Sequence, residues 1–122
     1  MAEYKSSYIV CRDYIGEVKL FLKQFFKELK GKYTHSNWVT FQINPKFTVS
    51  LMRGKDQIIT QNITFEISCK SFKELEKFAK KFNCKIDSFV ATETENPYRY
   101  YYIEIMGPKN ICKIEVNYIG KP

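Results

Sequence analysis

Glu115 is the acid of this sequence best placed to do chemistry. It lies in a run where Ile111, Lys113, Glu115 and Asn117 fall on one side of an extended chain and Cys112, Ile114, Val116 and Tyr118 on the other. A carboxylate in mid-strand with apolar neighbours belongs either to an ordinary solvated sheet face or to the floor of a site. Other reactive groups are sparse. His35 is the single histidine, and the polar stretch 33–37 around it reads as a solvated loop, not as the seat of a general base. There is no Gly-x-Ser-x-Gly elbow, and the five glycines are scattered singly, so neither a serine nucleophile nor a phosphate-cradling loop is indicated. The four cysteines, Cys11, Cys69, Cys84 and Cys112, show no Cys-x-x-Cys spacing and are expected to be reduced and mostly buried. No zinc site is expected, because nothing cysteine-rich lies near His35. Cys69 and Cys112 could face a cavity, but no neighbour in the sequence is placed to lower a thiol pKa.

Aromatic residues are more informative. Trp38, Phe41, Phe47, Tyr98, Tyr100, Tyr101 and Tyr102 lie on or beside predicted strands. Three consecutive tyrosines cannot all point into a core, because neighbours on a strand alternate. They therefore either pack a core and wet their outer hydroxyls, or line a pocket with Arg99 or Arg53 at its rim to orient an anionic group. The polar loop 92–98 could gate such a pocket. Hydrophobic residues make up 44% of the chain and aromatic residues 16%, enough for a packed core. The net charge is +7, with 17 lysines against three arginines, and eight of the lysines lie on two predicted helices. Solvated helix faces account for them; a nucleic-acid partner is conceivable but not favoured. The balance disfavours a strongly cationic ligand and mildly favours an anionic one. No apolar run approaches a membrane span, and the first residues lack the pattern of a signal peptide, so a cytoplasmic location is the default expectation.

The elements that must carry these groups come in one order, twice. In the first half, residues 4–12 read as a strand and Asp13 as a helix cap. Ile15, Val18, Leu22, Phe25 and Leu29 then form an amphipathic stripe, widened by Phe21 and Phe26, that runs to a stop at Gly31. Strands follow at 37–43 and 47–52 around the turn Asn44-Pro45-Lys46, and 57–60 is an irregular linker or a short strand. In the second half, 61–69 alternates with Ile63, Phe65 and Ile67 on one side and Asn62, Thr64, Glu66 and Ser68 on the other. Ser71 and Glu74 form a capping box. The helix it opens points Phe72, Leu75, Phe78, Ala79 and Phe82 inward and ends at Asn83. A strand at 86–92 leads to a hairpin that turns at Gly107-Pro108-Lys109-Asn110. The expectation is an α+β domain with an internal repeat, modules covering about 1–57 and 58–122.

This order and three of its segments resemble the vicinal oxygen chelate superfamily, the glyoxalase, bleomycin-resistance and dioxygenase-like proteins. The opening VCRDYIGEVKLFLKQFFKEL is similar to the family's strand, Asp, and helix with a closing aromatic pair. QNITFEIS is similar to its His-Ile-Ala-Phe-Glu-Val strand, and YYIEIMGPKNICKIEV to its aromatic-x-Asp-Pro-x-Gly-Asn-x-x-Glu signature, one residue shorter and without the Asp. The resemblance implies two βαβββ modules forming a curved mixed sheet around an open cavity, helices outside, and a homodimer. It also implies a divalent metal held by the first strand of each module and by the Glu of the last. Glu115 matches that Glu, but Asn62 and Ser6 stand at the other two positions, and neither is a good transition-metal ligand. A ligand-binding protein without a complete metal site and without a cofactor is therefore expected, with Trp38, Arg53, Tyr98, Arg99, Tyr100, Tyr102 and Glu115 lining the cavity around a small anionic or aromatic molecule. The alternative is a metal-dependent lyase, isomerase or thiol transferase that takes ligands from elsewhere, such as His35, Gln42 or Glu66. A basic nucleic-acid or protein interaction module ranks third, and a plain ferredoxin-like α+β domain fourth.

Overall fold

Among the described residues the chain forms eight strands and two α-helices. The computed structural model describes residues 2–3, 6–31, 34, 37–54 and 58–121. His35, residues 55–57 and residues 4–5 of the first expected strand lie outside them. The elements are β1 (Ser7–Val10), α1 (Ile15–Leu22), β2 (Lys27–Leu29), β3 (Trp38–Asn44), β4 (Phe47–Met52), β5 (Ile63–Ser68), α2 (Phe72–Phe82), β6 (Asp87–Ala91), β7 (Tyr98–Met106) and β8 (Cys112–Gly120). They form two four-stranded sheets, ordered β1-β4-β3-β2 and β5-β8-β7-β6. In each, the first strand runs parallel to the last and the remaining pairs are antiparallel. Each sheet is thus one βαβββ module. Equivalent bonds close both: Cys11 N–H donates to Met52 O at 2.8 Å, and Cys69 N–H to Asn117 O at 2.7 Å. The protein is α+β, as the element order implies. It divides into two compact units, residues 1–62 with 107–111, and residues 63–106 with 112–122.

In the first unit Ile9, Val39, Phe41 and Leu51 of the sheet and Val18 and Leu22 of α1 are fully buried. α1 is shorter than the apolar stripe suggests. It stops after Leu22, where the N–H groups of Phe25 and Phe26 both donate to Leu22 O at 3.0 and 2.9 Å. The chain then enters β2, which pairs with β3 through Lys27–Gln42, Glu28–Phe41 and Leu29–Thr40. The spacing of Leu22, Phe25 and Leu29 fits a helix, but the sheet offers backbone partners that the helix end does not. Glu28 is turned toward α1, where its carboxylate stands 3.8 Å from Lys19 Nζ and 3.7 Å from Lys23 Nζ. Asp13 does not cap α1. It sits in a 3-10 turn, Arg12–Tyr14, and its carboxylate pairs with Arg53 at 2.6 Å. Residues 58–60 form no strand, but Thr60 bonds Val10 through both its N–H and its hydroxyl, each at 3.0 Å.

In the second unit Leu75 and Ala79 of α2 pack with Phe65, Ile103, Ile105, Cys112, Ile114 and Val116, all buried, on one face of the sheet. The Ser71 hydroxyl accepts from Glu74 N–H at 3.2 Å. The Glu74 carboxylate accepts from Lys70 N–H at 3.1 Å, one residue earlier than a capping box requires. Asn83 ends the helix in the left-handed region, φ 52° and ψ 49°. Phe72 meets the Tyr101 ring edge-on at 4.9 Å and the Tyr118 ring at 6.4 Å. Of the consecutive tyrosines, then, Tyr101 lies on the side of α2, and alternation turns Tyr100 and Tyr102 to the other face.

Candidate functional site

The face of the second sheet turned away from α2 gathers polar groups from three strands. β8 contributes Lys113, Glu115 and Asn117, β5 contributes Thr64, Glu66 and Ser68, and β7 contributes Tyr98, Tyr100, Tyr102 and Glu104. The register sets Glu66 beside Glu115, and Glu115 beside Glu104, in one row across β5, β8 and β7. Neighbouring strands are only about 4.8 Å apart, so three carboxylates in such a row repel one another. The face answers this locally. Lys113 forms an ion pair with Glu104. The Asn117 amide, on a residue only 2% exposed, donates to Glu66 Oε1 at 2.9 Å and to Glu115 Oε2 at 3.0 Å. The Tyr100 hydroxyl donates to Glu115 Oε2 at 2.6 Å and lies 2.7 Å from Asn117 Nδ2. Ser68 donates to Asn117 Oδ1 at 3.1 Å, which fixes which way the amide points, since ionised carboxylates only accept. Burial, then the hydrogen bond to Glu115, pushes the Tyr100 hydroxyl well above the usual tyrosine range. It is therefore a neutral proton donor at physiological pH. Phe89 on β6 stacks on Tyr100 at 5.2 Å and meets Tyr102 edge-on at 6.2 Å, with Tyr100 and Tyr102 at 5.9 Å. Phe89 is 52% exposed.

Of the residues expected to line a site, Tyr100, Tyr102 and Glu115 come together on this face, and Tyr98 shares their alternation at the start of β7. Arg99 does not; it projects to the side of Tyr101, and its guanidinium donates to Ser88 Oγ at 3.1 Å. Trp38 and Arg53 belong to the first unit. Trp38 packs edge-on against Tyr8 at 5.1 Å, and Arg53 is paired with Asp13. There too, the Ser6 hydroxyl donates to Thr48 O at 3.3 Å and stands 3.5 Å from Ser50 Oγ, while Gln42 donates to Phe47 O at 3.1 Å. Asn62 precedes β5 with φ 64°, and its N–H donates to Asn110 O at 2.9 Å. Asn117 and Phe89 were not singled out from the sequence, and Glu66 only as a substitute metal ligand. The signal for Asn117 and Glu66 is alternation, which sets Asn117 on the side of Glu115 and Glu66 opposite the apolar Phe65 and Ile67.

No family model matches the sequence, and no curated protein does. Solved structures do match, over almost the whole chain. A point mutant of a fosfomycin resistance protein, FosX from Listeria monocytogenes, complexed with Mn(II) and 1S,2S-dihydroxypropylphosphonic acid, is 13% identical with a TM-score of 0.55, covering 97% of this chain and 92% of its own. A putative glyoxalase family protein from Bacillus anthracis is 10% identical with a TM-score of 0.54, covering 97% and 98%. TnmS3, an antibiotic binding protein from Streptomyces sp. CB03234, is 14% identical with a TM-score of 0.54, covering 97% and 98%. The chain thus shares the paired βαβββ fold of these proteins. Among the described residues no helix is long and apolar enough to cross a membrane.

The fold raises the question of a divalent metal at Glu115. Among the described residues no group of three or more His, Cys, Asp or Glu side chains is placed to hold one. The carboxylate oxygens that turn toward each other are already taken: Glu115 Oε2 accepts from Tyr100 and Asn117, and Glu66 Oε1 from Asn117. A cation between them would compete with the amide of a buried asparagine. These residues do not fit a bound metal.

Proposed function

We propose that the protein binds a small organic molecule on the face of its second sheet turned away from α2, without a complete metal site and without turnover. The observation that carries this reading is the hydrogen-bonded set Tyr100, Glu115, Asn117 and Glu66, held rigid beside the exposed ring of Phe89. Fixed polar groups next to an aromatic surface orient a ligand and supply its apolar contact area. The fold is compatible with such a role, since one structural neighbour is described as an antibiotic binding protein. A homodimer, the arrangement the superfamily resemblance implies, is part of the proposal.

Metal addition tests it. Adding millimolar Mn(II), or removing metal with a chelator, should leave the thermal midpoint unchanged, while aromatic small molecules should shift NMR resonances of Tyr100, Tyr102 and Phe89. A ligand at a hundred times its Kd would raise stability by about 2.7 kcal/mol, a readily measured effect. A Mn(II)-dependent rise in midpoint that disappears in Glu115→Gln would overturn the metal-free reading in favour of a metal-dependent lyase, isomerase or transferase.

A further inference from the structure

A strand at the edge of a sheet presents a row of unpaired N–H and C=O groups, a template for pairing with another chain. The edge strands here are β1 and β2 in the first sheet and β5 and β6 in the second. Three of them carry a feature that discourages such pairing. β1 is tied at Val10, whose N–H and C=O are both bonded to Thr60. β2 is only three residues long and opens on the exposed Lys27. β5 holds Glu66 in mid-strand. β6 has none of these. Among the described residues no strand lies on its outer side, and Asp87, Ser88, Phe89 and Val90 are all exposed. Its run DSFVA contains no proline and no lysine, its one charge is at the first position, and it pairs with β7 without a bulge. Phe89 and Val90 leave 52% and 37% of their surface in water.

We infer that β6 is the interface of a homodimer, pairing antiparallel with β6 of a second copy about a two-fold axis at Phe89. The two second sheets then form one continuous sheet. This goes beyond the binding reading above and does not depend on what the face binds. A two-fold interface must be complementary to itself, and the sequence around β6 is. Lys85 stands two residues before the strand and Glu93 two residues after it. With Phe89 facing Phe89 across the axis, Lys85 of each copy faces Glu93 of the other, so the symmetry makes the favourable charge pair twice. Asp87 faces Ala91, and Ser88 faces Val90. Neighbouring registers lose this. Val90 facing Val90 sets Asp87 against Glu93, two acids, and Ser88 facing Ser88 sets Lys85 against Ala91. Opposite charges across a strand pair stabilise it and like charges oppose it, so charge selects the register centred on Phe89. That register also brings together two exposed aromatic rings, each stacked on its own Tyr100. Lys85 and Glu93 are exposed, and among the described residues neither forms an ion pair. Both are therefore free to pair across the axis.

Five paired residues a side make a small interface, so the dimer should depend on concentration. In sedimentation equilibrium of the full chain, the apparent mass should rise from one chain toward two between about 1 μM and about 1 mM. Over the same range, alternate backbone amides within Asp87–Ala91 should exchange more slowly with solvent, read by NMR. Lys85→Glu and, separately, Glu93→Lys should each weaken the dimer about tenfold or more, because attraction becomes repulsion twice. The double variant, Lys85→Glu with Glu93→Lys, should restore it. Circular dichroism should show all three variants folded as the parent is; the exchange measurement uses the parent alone and stands even if one is not. A chain that stays monomeric throughout overturns the inference and leaves the ligand-binding reading to its own test. A dimer whose β6 amides exchange at an unchanged rate uses another surface, and the inference fails. A double variant as weak as the single ones overturns the Phe89-centred pairing.

Discussion

Asn117 shows how much one side chain settles. A buried asparagine is costly unless its amide is satisfied, and here every polar atom of the side chain has a partner: Ser68 on the oxygen, and Glu66, Glu115 and the Tyr100 hydroxyl around the nitrogen. Its N–H groups stand between two carboxylates where a cation would otherwise be needed. Tyr100 adds the second donor, and its proton carries a pH dependence. The hydroxyl is held above its ordinary value of about 10 by burial and by Glu115. The folded state therefore binds this proton more tightly than the unfolded chain does. The resulting stability is complete below pH ~10 and is lost as pH rises through the folded value. Tyr100→Phe lacks that contribution. It should be less stable than the parent by about 1–2 kcal/mol at pH ~8, the loss of one hydrogen bond to a charged group at a partly exposed site. The gap should narrow as pH rises above ~10, read by urea denaturation. The Cys112 thiol, pushed up to about 11 by burial, gives a drift of the same sign, but it is present in both proteins and cancels. A gap that stays constant with pH would show that the Tyr100 hydroxyl is not the group responsible.

At the scale of elements, what could be read from the sequence was what local chemistry decides. α2 announces itself through Ser71 before the apolar stripe and Asn83 after it, and the structure keeps both ends. Ser71→Ala should cost about 1 kcal/mol, because the Glu74 N–H loses its acceptor. A midpoint unchanged in chemical denaturation would mean that the neighbouring bond from Lys70 N–H to Glu74 holds the helix start alone. β5, β7 and β8 were equally legible, since alternation is a property of each strand by itself. β2 was not. Three residues are too few to alternate visibly, and Leu22, Phe25 and Leu29 are spaced as well for a helix as for a turn entering a strand; pairing with β3 decides, and that partner is distant in sequence. The site divides the same way. Alternation alone puts Glu115 with Asn117, separates Tyr100 from Tyr101, and sends Arg99 to the side of Tyr101. The row Glu66–Glu115–Glu104 depends on the register between strands that meet only in the folded chain.

For the whole molecule the question is whether the two units unfold together. Each has about 60 residues, a size at which an isolated domain is marginal. Their connectivity also works against separate opening. The loop 107–111 belongs to the first unit, whereas β7 and β8, which it joins, belong to the second. Within the first unit that loop is tied down by Asn62 N–H donating to Asn110 O at 2.9 Å and by Lys109 Nζ lying 5.4 Å from the centre of the Tyr14 ring. Loss of the first unit therefore frees the turn that closes the β7–β8 hairpin. The cysteines report on this without any mutation. Cys11 in the first unit is 0% exposed and Cys112 in the second 1%, so each reacts only when its own unit opens, while Cys69 and Cys84 are partly exposed. In a thiol-labelling series with increasing urea, Cys84 should react first. Cys69 should follow more slowly, because burial and the nearby Glu74 raise its thiol pKa and leave less thiolate. Cys11 and Cys112 should then become reactive together, with the same dependence on urea, as a single cooperative transition requires. Labelling of Cys11 at clearly lower urea than Cys112 would instead show that the first unit opens while the sheet carrying Glu66, Glu115 and Asn117 stays folded.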